Sequence, residues 1–335
     1  MLNEEELQSL HTNQRLLVIE MQGRGIDIIS LDGTIELLEA SYNGHNEFLL
    51  DRDSSIVPYL TSVISGDKLL AKTLLRRAGI NVNEGLAFTR NEINDSLLYA
   101  QELGFPVVVK PNFGSHGDNV HIDLNNLCDV KEAIDQVVWS IGNRAFLVEQ
   151  QFDGNEYRVF VTREGSYAVL YRDPAHVVGN GQDTLEKLVL DENTSRNLRT
   201  NSLCPISVDS QALRFLARND MNLHYLPEEG KKVYLRHNSN IADGGVCENY
   251  TDRVHPSVID ISRKALEVFH GLPYAGIDFM TVDVETEQTA DSYRVIEVNS
   301  VQLIHMHMRH GKGSHINVDS YIVYIIFPET KQWKR

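Results

Sequence analysis

"YAGIDFMTVDVETEQTADSYRVIEVNS", residues 274 to 300, holds two apolar strands, and the polar stretch "DVETEQTADS" between them makes the two an antiparallel pair. Side chains alternate faces along a strand, so Glu297 and Asn299 share a face, and Asp278 on the neighbouring strand joins them. Two carboxylates and an amide carbonyl at the end of an apolar sheet are hard oxygen ligands suited to magnesium, which keeps its other positions for water and phosphate oxygens. Alone, the triplet fits a solvated strand end equally well, so the rest of the chain has to decide.

Before this pair lies the helix "PSVIDISRKALEVFHGL", and before that a strand, "KVYLRHNSN". Further upstream, "EYRVFVTREGSYAVLYR" reads as a hairpin turning at Glu164 and Gly165. "TLEKLVLDEN" reads as a short helix, with residues 192 to 230 polar and irregular. "GDKLLAKTLLRRAGINV" is a clear helix with Asp67 as N-cap, Leu70, Leu74 and Ala78 four apart, and Gly79 as the stop. After it come a helix around 92 to 103, the strand "FPVVVKP", the loop "NFGSHGDN" and a helix from about 127 to 141. Residues 15 to 60 read as short strands and turns. Strands and helices mix without regular βαβ alternation, which predicts an α+β fold with mainly antiparallel sheets. Neither GxxxxGK[ST] nor GxGxxG after a strand is present.

The 335 residues leave room for two or three lobes, and the 42% hydrophobic fraction fits a packed globular protein. With 47 acidic against 31 basic residues the net charge is -16, which argues against nucleic-acid or anionic-membrane partners. The N-terminus lacks the basic start and apolar run of a signal peptide, and "YIVYIIF" at 321 to 327 is too short to span a bilayer. The expectation is a soluble, cytoplasmic protein. Cys128, Cys204 and Cys247 lie far apart and form no CxxC pair, so neither a disulfide framework nor a cysteine-based zinc site is expected.

Any phosphate bound to so acidic a chain must meet local cations. Lys110 ends the run "VVVK", Lys68 sits in the first turn of its helix, and Arg236 ends "KVYLR". Each alone is also compatible with a surface residue whose stem lies over the core. Together they suggest a phosphate cradle, to which "NFGSHGDN" adds Gly114 and Gly117, letting backbone amides approach an anion. "FLVEQQFDGNEYRVFV" bends through Glu149, Gln150, Gln151 and Phe152, whose edge amides and carbonyls suit an adenine, and Glu156 suits ribose hydroxyls. Arg158 shares the face of Glu156, and Arg172 stands at the same end of the hairpin, so two guanidiniums favour an oxyanion between them. A charged outer face is the other reading of that hairpin end.

Taken in order, GDK, VVVKP with its glycine loop, VEQQ, GNEYR, LRHNSN with GG, GID and EVN resemble the ATP-grasp superfamily of carboxylate-amine ligases. "EYRVFV", "DPAHVVGNGQDTLEKLV", "LRHNSNIADGG", "AGIDFM" and "MHMRHGKGSHI" with "FPE" resemble, more narrowly, the glutathione synthetase module of bifunctional bacterial glutathione enzymes and, more loosely, the ATP-grasp part of cyanophycin synthetase. The match runs from about Ile19 to Glu329. It implies two α+β subdomains gripping ATP, at 65 to 145 and 146 to 330, behind a reduced N-terminal layer at 1 to 64.

The resemblance also implies roles. Lys68, Lys110 and Ser115 would meet the ATP phosphates, Glu149 to Phe152 the adenine and Glu156 the ribose. Asp278, Glu297 and Asn299 would hold Mg2+. Arg236, Lys110 and Arg158 would neutralise charge on the transferring group, with Arg172, Asn240, Gly244, Gly245, His305 and His307 on the substrate side. The reaction implied is ATP-driven amide formation, its partners a small carboxylate and an amine, and a homodimer is compatible with it.

Two details depart from the pattern. Gln150 replaces the second acid of a VEE hinge, and the phosphate loop carries His116 and Asp118. No glutamate-cysteine ligase domain precedes residue 1 in this sequence, so the expected substrates need not be γ-glutamylcysteine and glycine. His305 and His307 would share a face if the strand continued, and with His310 and His315 they suggest zinc ligation or, as favoured by the resemblance, polar lining of the pocket.

Overall fold

The computed structural model describes residues 2–31, 37–51, 53–114, 117, 119–198, 203–300, 305–308 and 314–332. The N-terminal layer consists of helices α1 (Glu4–Ser9) and α2 (Thr12–Gly23) and an antiparallel sheet of β1 (Asp27–Ser30), β2 (Leu37–Tyr42), β3 (His45–Leu50) and β4 (Asp53–Ser54), in that order. Here the expectation of strands from residue 15 is corrected: "RLLVIEMQ" belongs to α2. Leu17, Val18 and Met21 follow the helical spacing and are buried together.

Helices α3 (Tyr59–Gly66) and α4 (Lys68–Arg77) follow. The Asp67 carboxylate caps α4 by accepting from the Leu70 amide at 2.9 Å, and the chain leaves the helix at Gly79, whose φ of 72° is left-handed. A small sheet is then built from β5 (Gly85–Phe88), β6 (Val107–Pro111), β7 (His121–Leu124) and β8 (Phe146–Gln150), antiparallel in the order β5-β8-β6-β7. Helices α5 (Ile93–Leu103) and α6 (Leu127–Ile141) cover it, burying Ala100, Val130, Ile134 and Val137 against Val107, Val109, Phe146 and Val148.

The large sheet has five strands, β13-β10-β9-β14-β15, all neighbours antiparallel: β9 (Asn155–Thr162), β10 (Tyr167–Asp173), β13 (Val246–Asn249), β14 (Tyr274–Thr281) and β15 (Tyr293–Asn299). The β9–β10 hairpin turns at Glu164 and Gly165, as expected. Between β10 and β13 lie β11 (His176–Val178) paired with β12 (Lys232–Tyr234), and helices α7 (Leu185–Leu198) and α8 (Ser210–Arg218). The irregular stretch expected at 192 to 230 is therefore partly helical. Asp209 caps α8, and Ala212 and Leu216, four apart, are buried. "KVYLRHNSN" is a strand only as far as Tyr234, so Arg236 lies beyond the ladder.

One face of the large sheet packs on α4 and on α9 (Pro256–Val268), joining Val159, Val161, Ile277 and Phe279 to Leu75, Leu266 and Phe269. The other face is covered at one end by the N-terminal layer and by α11 (Val318–Ile326), where Phe160, Ala168 and Tyr274 meet Leu17, Met21, Ile28, Ile322 and Ile326. A short helix, α10 (His305–Met308), precedes α11. Among the described residues no helix is long and apolar enough to cross a membrane.

Because the Asp67 side chain satisfies an otherwise orphaned amide of α4, Asp67→Ala should cost about 1 kcal/mol of stability, and Asp67→Ser should recover most of it. Denaturant unfolding of the three proteins checks this.

Candidate functional site

The other end of that second face carries the polar groups. Arg158 on β9 stands opposite Asp278 on β14, which stands opposite Glu297 on β15. One step along the face, Glu156 is the partner of Arg172 on β10, and Arg172 that of Cys247 on β13. Phe160, two residues past Arg158 on the same face, already belongs to the apolar core. Strand alternation thus turns a row of charges directly into a row of core residues.

Each charge meets an opposite one. Arg158 Nε lies 3.2 Å from Asp278 Oδ1, and Arg172 Nη1 lies 3.6 Å from the same oxygen and 2.7 Å from Glu156 Oε1. The anion between the two guanidiniums is thus Asp278. Burial opposes the Arg172 charge, yet Glu156 and Asp278 more than offset it and raise its pKa. Glu156 also accepts from the Ser239 hydroxyl. Lys68 Nζ lies 3.4 Å from Glu297 Oε1 and donates to Gly114 O at 2.8 Å, linking α4, β15 and the glycine loop. The Asn299 amide donates to Gly276 O at 3.3 Å.

Lys110 closes β6 as expected, and its Nζ lies 2.8 Å from Glu149 Oε2. The Glu149 side chain is therefore internal, and its other oxygen receives Lys72, a residue the motif reading passed over. Beyond it the bend is more open. Gln151 bonds Asp123 on β7 with both its amide groups, and the Arg294 guanidinium lies 4.9 Å from the Phe152 ring centroid. Gln150 is exposed, its backbone N–H donating to Glu84 O at 2.8 Å.

Arg236 is held by Asp243 at 3.0 Å, Asp209 at 3.3 Å and Ser207 O at 2.8 Å, and the Asn240 amide donates to the same Asp243. Gly244 and Gly245 have a packing reason: a Cβ on Gly244 would lie 2.6 Å from Ile206 Cα, and one on Gly245 2.8 Å from the Ser239 and Asn240 carbonyls. Asn238, also passed over, has a buried Oδ1, as Arg158, Arg172 and Arg236 have buried Nε atoms, and none of these atoms makes a hydrogen bond among the described residues. Its Nδ2 lies 3.7 Å from where a Cβ on Gly117 would stand, so the glycine loop approaches the "RHNSN" segment. His237 reaches across to Asp123 at 3.1 Å, and that carboxylate raises the imidazole pKa.

Ser115, His116, Asp118 and His310 lie outside the described residues. The condition for a shared face of His305 and His307 is not met, because the strand ends at Asn299 and the two sit on α10. Two residues apart on a helix point to different sides. His305 Nδ1 lies 3.0 Å from Asn13 Oδ1, and His307 is buried against the Phe160 ring. Among the described residues no group of three His, Cys, Asp or Glu side chains is placed to hold a metal.

The donor set on β14 and β15 nonetheless suits a hard cation. Asp278 and Glu297 are register partners, Asn299 is two residues on, and Asp278 Oδ1 is a buried oxygen without a hydrogen bond among the described residues.

Residues 67–175 match the family model described as Carbamoyl-phosphate synthase L chain, ATP binding domain. The chain is 30% identical over 334 residues to a cyanophycin synthetase of Geminocystis herdmanii, spanning 97% of this chain and 38% of that protein. It is 28% identical over 330 residues to a glutathione biosynthesis bifunctional protein of Clostridium perfringens, spanning 96% of this chain and 41% of that one. A bifunctional glutathione synthetase from Pasteurella multocida matches with a TM-score of 0.69 at 26% identity, over 96% of this chain and 44% of that one. The chain thus spans less than half the length of these relatives. Along nearly its whole length the chain is thus similar to part of the cyanophycin synthetases and of the bifunctional glutathione synthetases, and residues 67–175 match an ATP-binding domain.

Proposed function

We propose that the chain is a carboxylate-amine ligase that uses ATP to join the carboxylate of an amino acid or short peptide to an amine. The observation that carries the reading is the row of paired charges at one end of the large sheet, where Lys68, Arg158 and Arg172 face Glu297, Asp278 and Glu156. A magnesium-bound nucleotide would exchange these partners, the acids turning to the cation and the basic groups to phosphate oxygens. The two lobes of the grip would be residues 65 to 145 and 146 to 330, and a cytoplasmic location supplies the ATP.

In the first step a carboxylate oxygen attacks the γ-phosphorus, the bond to the β–γ bridging oxygen breaks, and ADP leaves with an acyl phosphate formed. In the second, the amine nitrogen attacks the acyl carbon, the C–O bond to phosphate breaks, and the amine gives up a proton to the medium as the amide forms. Little covalent chemistry falls to the protein. Lys110, Arg158 and Arg236 would stabilise charge on the transferring group, and Glu156 would bind the ribose. Asp278, Glu297 and Asn299 would hold magnesium, which supplies further neutralisation of phosphate charge. Exclusion of water from the closed site protects the acyl phosphate from hydrolysis.

The decisive experiment is a coupled ADP-release screen over pairs of amino acids and amines. Release that requires both partners is the expected result. Nucleotide binding without turnover across a broad panel would favour a binding protein of this fold. Removing Mg2+ with a chelator should abolish release, and adding it back should restore it. Glu297→Gln should raise the Mg2+ concentration needed for half-maximal activity by about tenfold or more, as loss of one group around a metal commonly does.

A further inference from the structure

Glu149 is 1% exposed, Lys72 3% and Lys110 5%, so the trio is among the most buried groups of ions in the described protein. The carboxylate is shared: one oxygen receives Lys72 from α4, and the other lies 2.8 Å from Lys110 on β6. With both lysines protonated, two ammonium groups against one carboxylate would carry one positive charge in excess, away from water. Such an excess is relieved either by loss of a proton or by an arriving anion.

The surrounding structure fixes the trio in place. Glu149 is paired in the ladder with Gly85 on one side and Val108 on the other. A Cβ on Gly85 would lie 2.5 Å from Glu149 Cγ and 2.8 Å from Val148 O, so glycine is what leaves room for the carboxylate stem. Lys72 is one turn of α4 beyond Lys68, which faces the glycine loop and Glu297. Burial draws the Lys72 ammonium down to about 7 against the field of Glu149, and the nearby Lys110 adds to that pull. Burial likewise opposes the Glu149 charge, but Lys110 and Lys72 hold its carboxyl down to about 2, so it stays ionised.

We propose that Lys72 is a positioning residue for nucleotide binding: it keeps Glu149 neutralised so that Lys110 can leave that carboxylate and turn to an ATP phosphate. The inference rests on the ATP reading above. Without Lys72, Lys110 becomes the sole counter-ion of a buried carboxylate, and moving it to phosphate would strand that charge. Lys72 itself touches neither the nucleotide nor the reacting atoms.

The test is a cycle of Lys72→Met, Glu149→Gln and the double variant, with the Kd of an ATP analogue measured by calorimetry and folding followed by thermal unfolding without nucleotide. Lys72→Met should weaken nucleotide binding by about tenfold or more. Adding Glu149→Gln should recover most of that loss, because the competing carboxylate is gone and Lys110 is released. Lys72→Arg, which keeps the charge, should bind like the wild type. A double variant that binds no better than Lys72→Met, or a folded Lys72→Met with wild-type affinity, overturns the proposal. Should the wild type bind no ATP analogue at all, the ATP reading of the site fails first, which separates the two outcomes.

Discussion

Burying an ion costs several kcal/mol unless a counter-ion and hydrogen bonds come with it, and this constraint organises the polar end of the large sheet. Arg158 and Asp278 are cross-strand partners on β9 and β14, so their pairing is built into the register of the sheet. Arg172 reaches the same carboxylate from β10, and Glu156 and Glu297 complete the row through Arg172 and Lys68. Charge balance here is held by backbone ladders and does not depend on flexible surface side chains. A chain with a net charge of -16 can therefore present several cations to an anionic ligand without exposing them to its own acids at random.

Helix α4 ties the two sheets to that arrangement. Its apolar side, with Ala71 and Leu75, packs on the core of the large sheet, whereas Lys72 reaches the small sheet at Glu149. Lys68, one turn earlier, points to the glycine loop and β15. A single helix thus carries two ammonium groups to two carboxylates on different sheets, and its N-terminus is fixed by Asp67 and by Asn112 Oδ1, which accepts from the Leu69 amide at 3.0 Å.

Local signals in the sequence were sufficient wherever they matched local physics. The cap at Asp67, the span of α6 and the turn at Glu164 and Gly165 follow from neighbours within a few residues. Period-two alternation was enough to put Asp278, Glu297 and Asn299 together. The apolar run in α2 misled because a stretch rich in Leu, Val and Ile suits either period, and only packing against α11 settles it as a helix. In α8 the polar surface masked a two-residue apolar anchor. Lys72 was illegible for a different reason. Nothing in "KLLAKTLLRR" says which lysine is buried, since its partner lies 77 positions away. The same holds for the acids that hold Arg236, for Ser239 on Glu156 and for the side chain of Asn238, all placed by tertiary contacts.

Strand β9 illustrates how tightly the two tasks are interleaved. Glu156 and Arg158 serve the polar row and Phe160 the core beneath the N-terminal layer, while Tyr157, Val159 and Val161 fill the core on the opposite face. Six consecutive positions therefore leave no spare one. A one-residue insertion in this strand would carry Glu156 and Arg158 into the apolar layer and Tyr157 and Val159 into the polar row together. The strand can drift in composition within each face, but its length and phase cannot change, so its spacing should be the most persistent trait of the molecule.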